Sequence, residues 1–177
     1  MMKDFIFIHI PKTGGISIQR VLGIRGCSHR RIDSFSKEDR DSSFTFAIVR
    51  NPFDRIVSAY NYLKSGGTNE GDKLMGDSLP SDFRSFVKDI DQHINFLHFR
   101  PMSYWLNDDV DFIGKFENLQ EDFATICNSI DIEYKQLPHV NKSKHKHYTE
   151  YYDDETKKII EEKYAKDIDY FGYKFGD

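Results

Sequence analysis

Cysteine is scarce in this chain. Cys27 and Cys127 are the only two in 177 residues, and they lie far apart in sequence. Neither a disulfide framework nor a Cys-x-x-Cys redox or metal motif can be built from them, so reduced thiols in a cytoplasmic protein are expected. Long apolar runs are also missing. No segment approaches the roughly 18 consecutive apolar residues a bilayer span requires. The amino terminus lacks a basic region followed by an apolar stretch and a small-residue cleavage site, so neither membrane insertion nor export is expected. There is no repeat, low-complexity tract or linker, and a single domain over residues 1–177 is the simplest organisation. A Walker loop, GxxxxGK[ST], is absent, as is a carboxylate cluster arranged for magnesium.

Aromatic residues are plentiful at 15%, with fifteen Phe and ten Tyr. The net charge of −4 argues against a general nucleic-acid binder, but the charge is uneven. Residues 1–64 carry eleven Lys and Arg against six Asp and Glu, and the remainder carries 14 against 23. A basic amino-terminal third on an acidic chain fits a localised anion site, since nearby cations concentrate an anionic ligand. Chance clustering on a solvated face is the alternative reading.

Hydrophobic patterning places strands at Asp4–Ile10, Phe44–Arg50 and Val110–Phe116. A helix is expected from the glycines onward through Ile18, Val21 and Leu22. A second follows Asn51-Pro52, with Asn51 as N-cap and Pro52 in the first turn. Further helices are expected after Ser81, through Asn118–Ile130, and over Asp153–Ile168. Ser65–Asp82, glycine-rich and polar, reads as a long mobile loop that contacts substrate. Strand followed by helix, repeated, implies an α/β sandwich with a mainly parallel sheet. Ligands bind such sheets at the carboxyl ends of strands, where both "PKTGGIS" and "RNPFDRIVS" fall.

In "PKTGGIS", Gly14 and Gly15 let backbone N–H groups approach an anion, and the following helix adds its positive end. Lys12 supplies a full charge, and Thr13 and Ser17 supply hydroxyls. Lys12 precedes the glycines, the reverse of the Walker order. In "VRNPFDRIVSAY", Arg50 offers a planar multidentate guanidinium at a strand end. Ser58 lies about two helical turns on, so the two reach one phosphate only if Arg50 folds back across the helix. Each loop alone could instead be a structural turn or a packing element.

Together, "IPKTGGIS" and "VRNPFDRIVSAY" resemble the 5′-phosphosulfate loop and 3′-phosphate segment of the sulfotransferases that use 3′-phosphoadenosine 5′-phosphosulfate (PAPS), specifically the carbohydrate type (sulfotransferase family 2). The resemblance continues through "VDFIGKFENLQEDF", "LPHVNKS" and the terminal "YYDDETKKIIEEKYAKDIDYFGYKF", covering nearly the whole chain. It implies a three-layer, P-loop-NTPase-like sulfotransferase fold. It also implies that Lys12, Thr13, Gly14, Gly15, Ile16 and Ser17 surround the 5′-phosphosulfate, that Arg50 and Ser58 hold the 3′-phosphate, and that Ser143 belongs to a segment closing over the nucleotide.

The reaction so implied moves a sulfuryl group from PAPS to a hydroxyl of a glycan or other small acceptor, with Lys12 balancing charge on the leaving phosphate and no metal. His29, between the two anion loops, is the candidate general base, because an imidazole with a pKa near 6.5 can accept a proton at neutral pH. His9 is a weaker candidate, since strand alternation can turn it into the sheet, and Asp33 is the carboxylate fallback. Arg30, Arg31 and Arg100 are candidates for an anionic sugar. His139, His145 and His147 lack the spacing of a structural zinc site. The competing readings are a P-loop-like nucleotide or small-molecule kinase and a non-catalytic module that binds adenosine 3′,5′-bisphosphate. Neither the acceptor nor the oligomeric state can be read from these motifs.

Overall fold

The structure, a computed structural model, describes residues 2–26, 28–107, 110–138 and 146–177. The chain divides into two compact units, Met1–Arg50 with Met102–Asn141, and Asn51–Pro101 with Lys142–Asp177. The described residues hold three strands and nine α-helices.

The first unit is built on a parallel sheet of order β1-β2-β3, with β1 at Phe5–Ile8, β2 at Phe44–Val49 and β3 at Phe112–Lys115. Its register pairs Phe5 with Phe44 and Ile8 with Ala47, then Phe46 with Phe112 and Val49 with Lys115. Central β2 is buried at every position after Phe44, which is why, Thr45 apart, it reads as a continuous apolar run rather than an alternating one. Just before β3 begins, Asp111 accepts from both the amide and the hydroxyl of Thr45, each at 2.8 Å, fixing the β2–β3 register. Parallel pairing requires a crossover. The β1-to-β2 connection holds α1 (Gly15–Leu22) and α2 (Lys37–Ser42).

In the second unit, α3 (Pro52–Lys64) starts at the expected cap, with the Asn51 side chain accepting from the Phe53 amide at 3.1 Å. Asn51 also donates to the Lys174 carbonyl at 2.8 Å. The expected mobile loop at Ser65–Asp82 is instead largely helical, forming α4 (Glu70–Ser78). Asn69 caps α4, and the Asp72 carboxylate accepts from the Thr68 amide at 3.1 Å and from Asn69 Nδ2 at 2.9 Å. Next come α5 (Phe83–Lys88), capped by Asp82 rather than Ser81, and α6 (Ile90–His93). Back in the first unit, α7 (Leu119–Ser129) buries Phe123, Ile126 and Cys127 against Ile18, Phe46 and Ile48. The late helix is two: α8 (Asp154–Lys163), with an Asp153–Thr156 capping box, and α9 (Ala165–Phe171). They part at Tyr164, which is buried and donates to the Phe99 carbonyl at 2.5 Å.

The second unit's core packs Phe53, Ile56, Val57, Tyr60 and Leu63 of α3 against Phe83, Phe86, Phe99, Ile160 and Tyr164. Arg55 is fully buried there, with its guanidinium donating to the His98 carbonyl at 3.2 Å and to the Arg100 carbonyl. Charge-assisted bonds of this kind are what make a buried cation tolerable.

Candidate active site

At the carboxyl end of β1 the chain turns sharply into α1. Lys12 takes a left-handed backbone (φ 68), as does Gly14 (φ 83), the N-cap of α1. No side chain caps this helix start, so its first-turn amides form the open, positively polarised end that suits an anion. The loop is braced from within. The Thr13 hydroxyl, fully buried, donates to the Ile10 carbonyl at 3.0 Å, and the Ser17 hydroxyl donates to the Pro138 carbonyl at 2.8 Å. Ile16 is half-buried beside them.

Arg50, at the end of β2, folds back to this loop. Its Nη1 donates to the Lys12 carbonyl at 3.1 Å, and its guanidinium carbon lies 4.1 Å above the Phe116 ring. The positive charge is thereby held on a rigid platform next to the loop's own lysine.

The third component is a histidine pair. His29 Nδ1 lies 2.7 Å from the His9 carbonyl oxygen. A carbonyl can only accept, so the proton sits on Nδ1 and the lone pair of the neutral ring is on Nε2. The two imidazoles are 4.6 Å apart, tilted by 47°. His9 is buried, and burial with the neighbouring His29 charge pushes its pKa down from 6.5 to about 3. His9 is thus neutral at physiological pH, and its ring is buried against Phe7. From the opposite side, Trp105 Nε1 donates to the His29 carbonyl at 3.1 Å, and Ile32 N donates to the Trp105 carbonyl at 3.0 Å.

A lysine and paired glycines on a strand-to-helix turn, an arginine hydrogen-bonded to that turn, and a histidine of defined tautomer thus share the first unit, without the Walker order. The family model described as "Sulfotransferase family" matches residues 2–174. The chain belongs to the sulfotransferase family. An uncharacterized protein of Archaeoglobus fulgidus is 33% identical to this sulfotransferase over 94 residues, covering 52% of this chain and 71% of that protein.

Within the first unit of the sulfotransferase, the structure brings together Lys12 through Ser17, His29 and Arg50. Ser58 belongs to the second unit, where it is buried on α3. Ser143, His139 and His145 lie outside the described residues. Asp33, the fallback base, accepts from Arg31 Nη2 at 2.7 Å and Asn107 Nδ2 at 2.9 Å, so its carboxylate is committed to ion pairing. Arg31 also stacks on Tyr104 at 4.7 Å, Arg30 lies 3.9 Å over Phe35, and Arg100 Nε donates to the Asn95 carbonyl at 2.8 Å. Among the described residues no group of three or more His, Cys, Asp or Glu could hold a metal, and no helix is long and apolar enough to cross a membrane. Two contributors escaped the sequence reading. Phe116, the platform for Arg50, carried no signal, while Trp105 carried one in being the only tryptophan.

Proposed function

We propose that this sulfotransferase moves a sulfuryl group from PAPS to a hydroxyl of a carbohydrate or other small acceptor in the cytoplasm, releasing adenosine 3′,5′-bisphosphate. The observation that carries the reading is the 2.7 Å bond from His29 Nδ1 to the His9 carbonyl. It leaves Nε2 as the proton acceptor beside a loop suited to a phosphosulfate.

The acceptor hydroxyl attacks sulfur and gives its proton to His29 Nε2. The bond from sulfur to the bridging phosphate oxygen breaks, and its electron pair leaves with the 5′-phosphate. Lys12 and the first-turn amides of α1 meet the charge that develops there, as preorganised donors worth a few kcal/mol each. A transferring sulfuryl carries less charge than a phosphoryl, so one lysine and backbone dipoles suffice without a metal. Thr13 and Ser17 hold the loop's shape, with Gly14, Gly15 and Ile16 giving it backbone access. Arg50 and Ser58 take the 3′-phosphate.

The test pairs thermal-shift titration with a labelled-sulfuryl transfer assay. Adenosine 3′,5′-bisphosphate is expected to stabilise the protein more than 5′-AMP. His29→Ala is expected to keep bisphosphate affinity while turnover falls about a hundredfold. Equal stabilisation by AMP removes the 3′-phosphate site, and wild-type turnover in His29→Ala moves the base elsewhere.

A further inference from the structure

Four rings form a column from the sheet interior to the candidate base. Phe46, in the middle of β2, stacks on Phe7 of β1 at 5.0 Å and 16°. Phe7 stacks on His9 at 5.4 Å and 16°, and His9 meets His29 at 4.6 Å. Phe7 and Phe46 are register partners, and His9 follows Phe7 by two residues just past the end of β1, so the face that carries Phe7 continues into His9. The column also touches the anion loop. A Cβ at Gly15 would fall 2.2 Å from His9 Cδ2 and 2.3 Å from His9 Nε2. Glycine is therefore required at position 15 for the His9 ring to lie flat against the loop.

We infer that His9 is a positioning residue: its ring is the spacer between the glycine loop and His29, and its carbonyl holds His29 in the tautomer that accepts a proton at Nε2. The side chain and the carbonyl act together. The ring, wedged between Phe7 and Gly15, fixes the peptide whose oxygen receives His29 Nδ1–H. Trp105 then fixes the far side of the same residue through the His29 carbonyl. A proton arriving at Nε2 leaves His29 cationic, and the His9 ring placed against it must carry no charge of its own. A buried imidazole on an aromatic stack meets that requirement. A lysine or arginine in its place would oppose the transfer.

The catalytic half of this proposal rests on the sulfuryl-transfer reading, whereas the tautomer half does not, and the experiment separates them. Two-bond 15N–1H correlation spectra of the full chain report the His29 tautomer directly. The wild type is expected to show Nδ1–H with unprotonated Nε2. In His9→Phe, which keeps a flat ring and the carbonyl, that signature should persist with kcat within about threefold. In His9→Ala the His29 signals should average between tautomers and kcat should fall about tenfold. KM for PAPS and bisphosphate affinity should be unchanged. An Nε2–H tautomer in the wild type overturns the proposal, and so does a His9→Ala protein whose tautomer and kcat match the wild type. If His29 shows the expected tautomer and dependence on His9 but no sulfuryl transfer occurs, the positioning stands and the proposed reaction falls.

Discussion

Arg50 lies over Phe116, 4.1 Å from guanidinium carbon to ring centroid, while its Nη1 donates to the Lys12 carbonyl at 3.1 Å. One residue thus ties the end of β2 to the residue after β3 through a cation–π contact and to the loop after β1 through a directed hydrogen bond, two contacts that an ammonium reproduces poorly. Arg50→Lys should therefore weaken adenosine 3′,5′-bisphosphate binding about tenfold. Phe116→Leu should weaken it about threefold. Isothermal calorimetry reads both, and 5′-AMP should bind all three proteins alike. Undiminished bisphosphate affinity in Arg50→Lys makes Arg50 a framework residue.

Trp105→Phe keeps an aromatic ring in a fully buried position but deletes the donor to the His29 carbonyl. Loss of this part-buried hydrogen bond costs about 1 kcal/mol, readable as a lower denaturation midpoint. With His29 less constrained, kcat should fall about fivefold to tenfold while nucleotide affinity stays put. A stability loss with no change in kcat would show that the bond serves folding alone.

The depressed pKa of His9, about 3 against an ordinary 6.5, makes stability depend on pH in a definite direction. Between those values the unfolded chain binds a proton that the folded chain excludes. Stability is therefore fully present above about pH 6.5 and declines as the pH falls toward 3, by at most about 1.4 kcal/mol per pH unit from this residue. His93, also lowered by burial, contributes in the same sense, so the comparison must be with His9→Phe. Urea titrations at pH 7.0, 6.0 and 5.0 should show a shallower decline in that variant. Parallel declines would mean that His9 titrates normally in the fold.

Gly76 of α4 lies directly against α3: a Cβ there would fall 2.0 Å from the Leu63 carbonyl oxygen. Gly76→Ala must push the two helices apart or distort one of them, at a cost of about 1–3 kcal/mol. Amide exchange should accelerate in α4 before it does in the rest of the second unit. An unchanged melting temperature would show that the contact yields freely.

That same packing explains why α4 was not legible in the sequence. Its buried residues are Asp72 and Gly76, so it has no apolar stripe, and its glycines and polar residues are those of a loop. By contrast, β2 is buried on both faces and α3 and α7 each bury an aliphatic and aromatic face, which periodicity reveals directly. The site divides in the same way. Lys12, the paired glycines and Arg50 stand out in the sequence as candidates because loop chemistry is local. The His9–His29 pair and the Trp105 bond depend on contacts across 20 and 76 positions, and no spacing rule encodes these. The break at Tyr164 leaves no local pattern, and the buried ring there finds its hydrogen-bond partner as far away in sequence as Phe99.

Lys12 holds a backbone conformation (φ 68) that costs a non-glycine residue about 1–2 kcal/mol. Selection for heat resistance alone would thus favour glycine at this position, relieving the turn and deleting its ammonium in one substitution. A sturdier protein with a neutral loop is the expected product of such a screen, because here durability and chemistry ask for different residues.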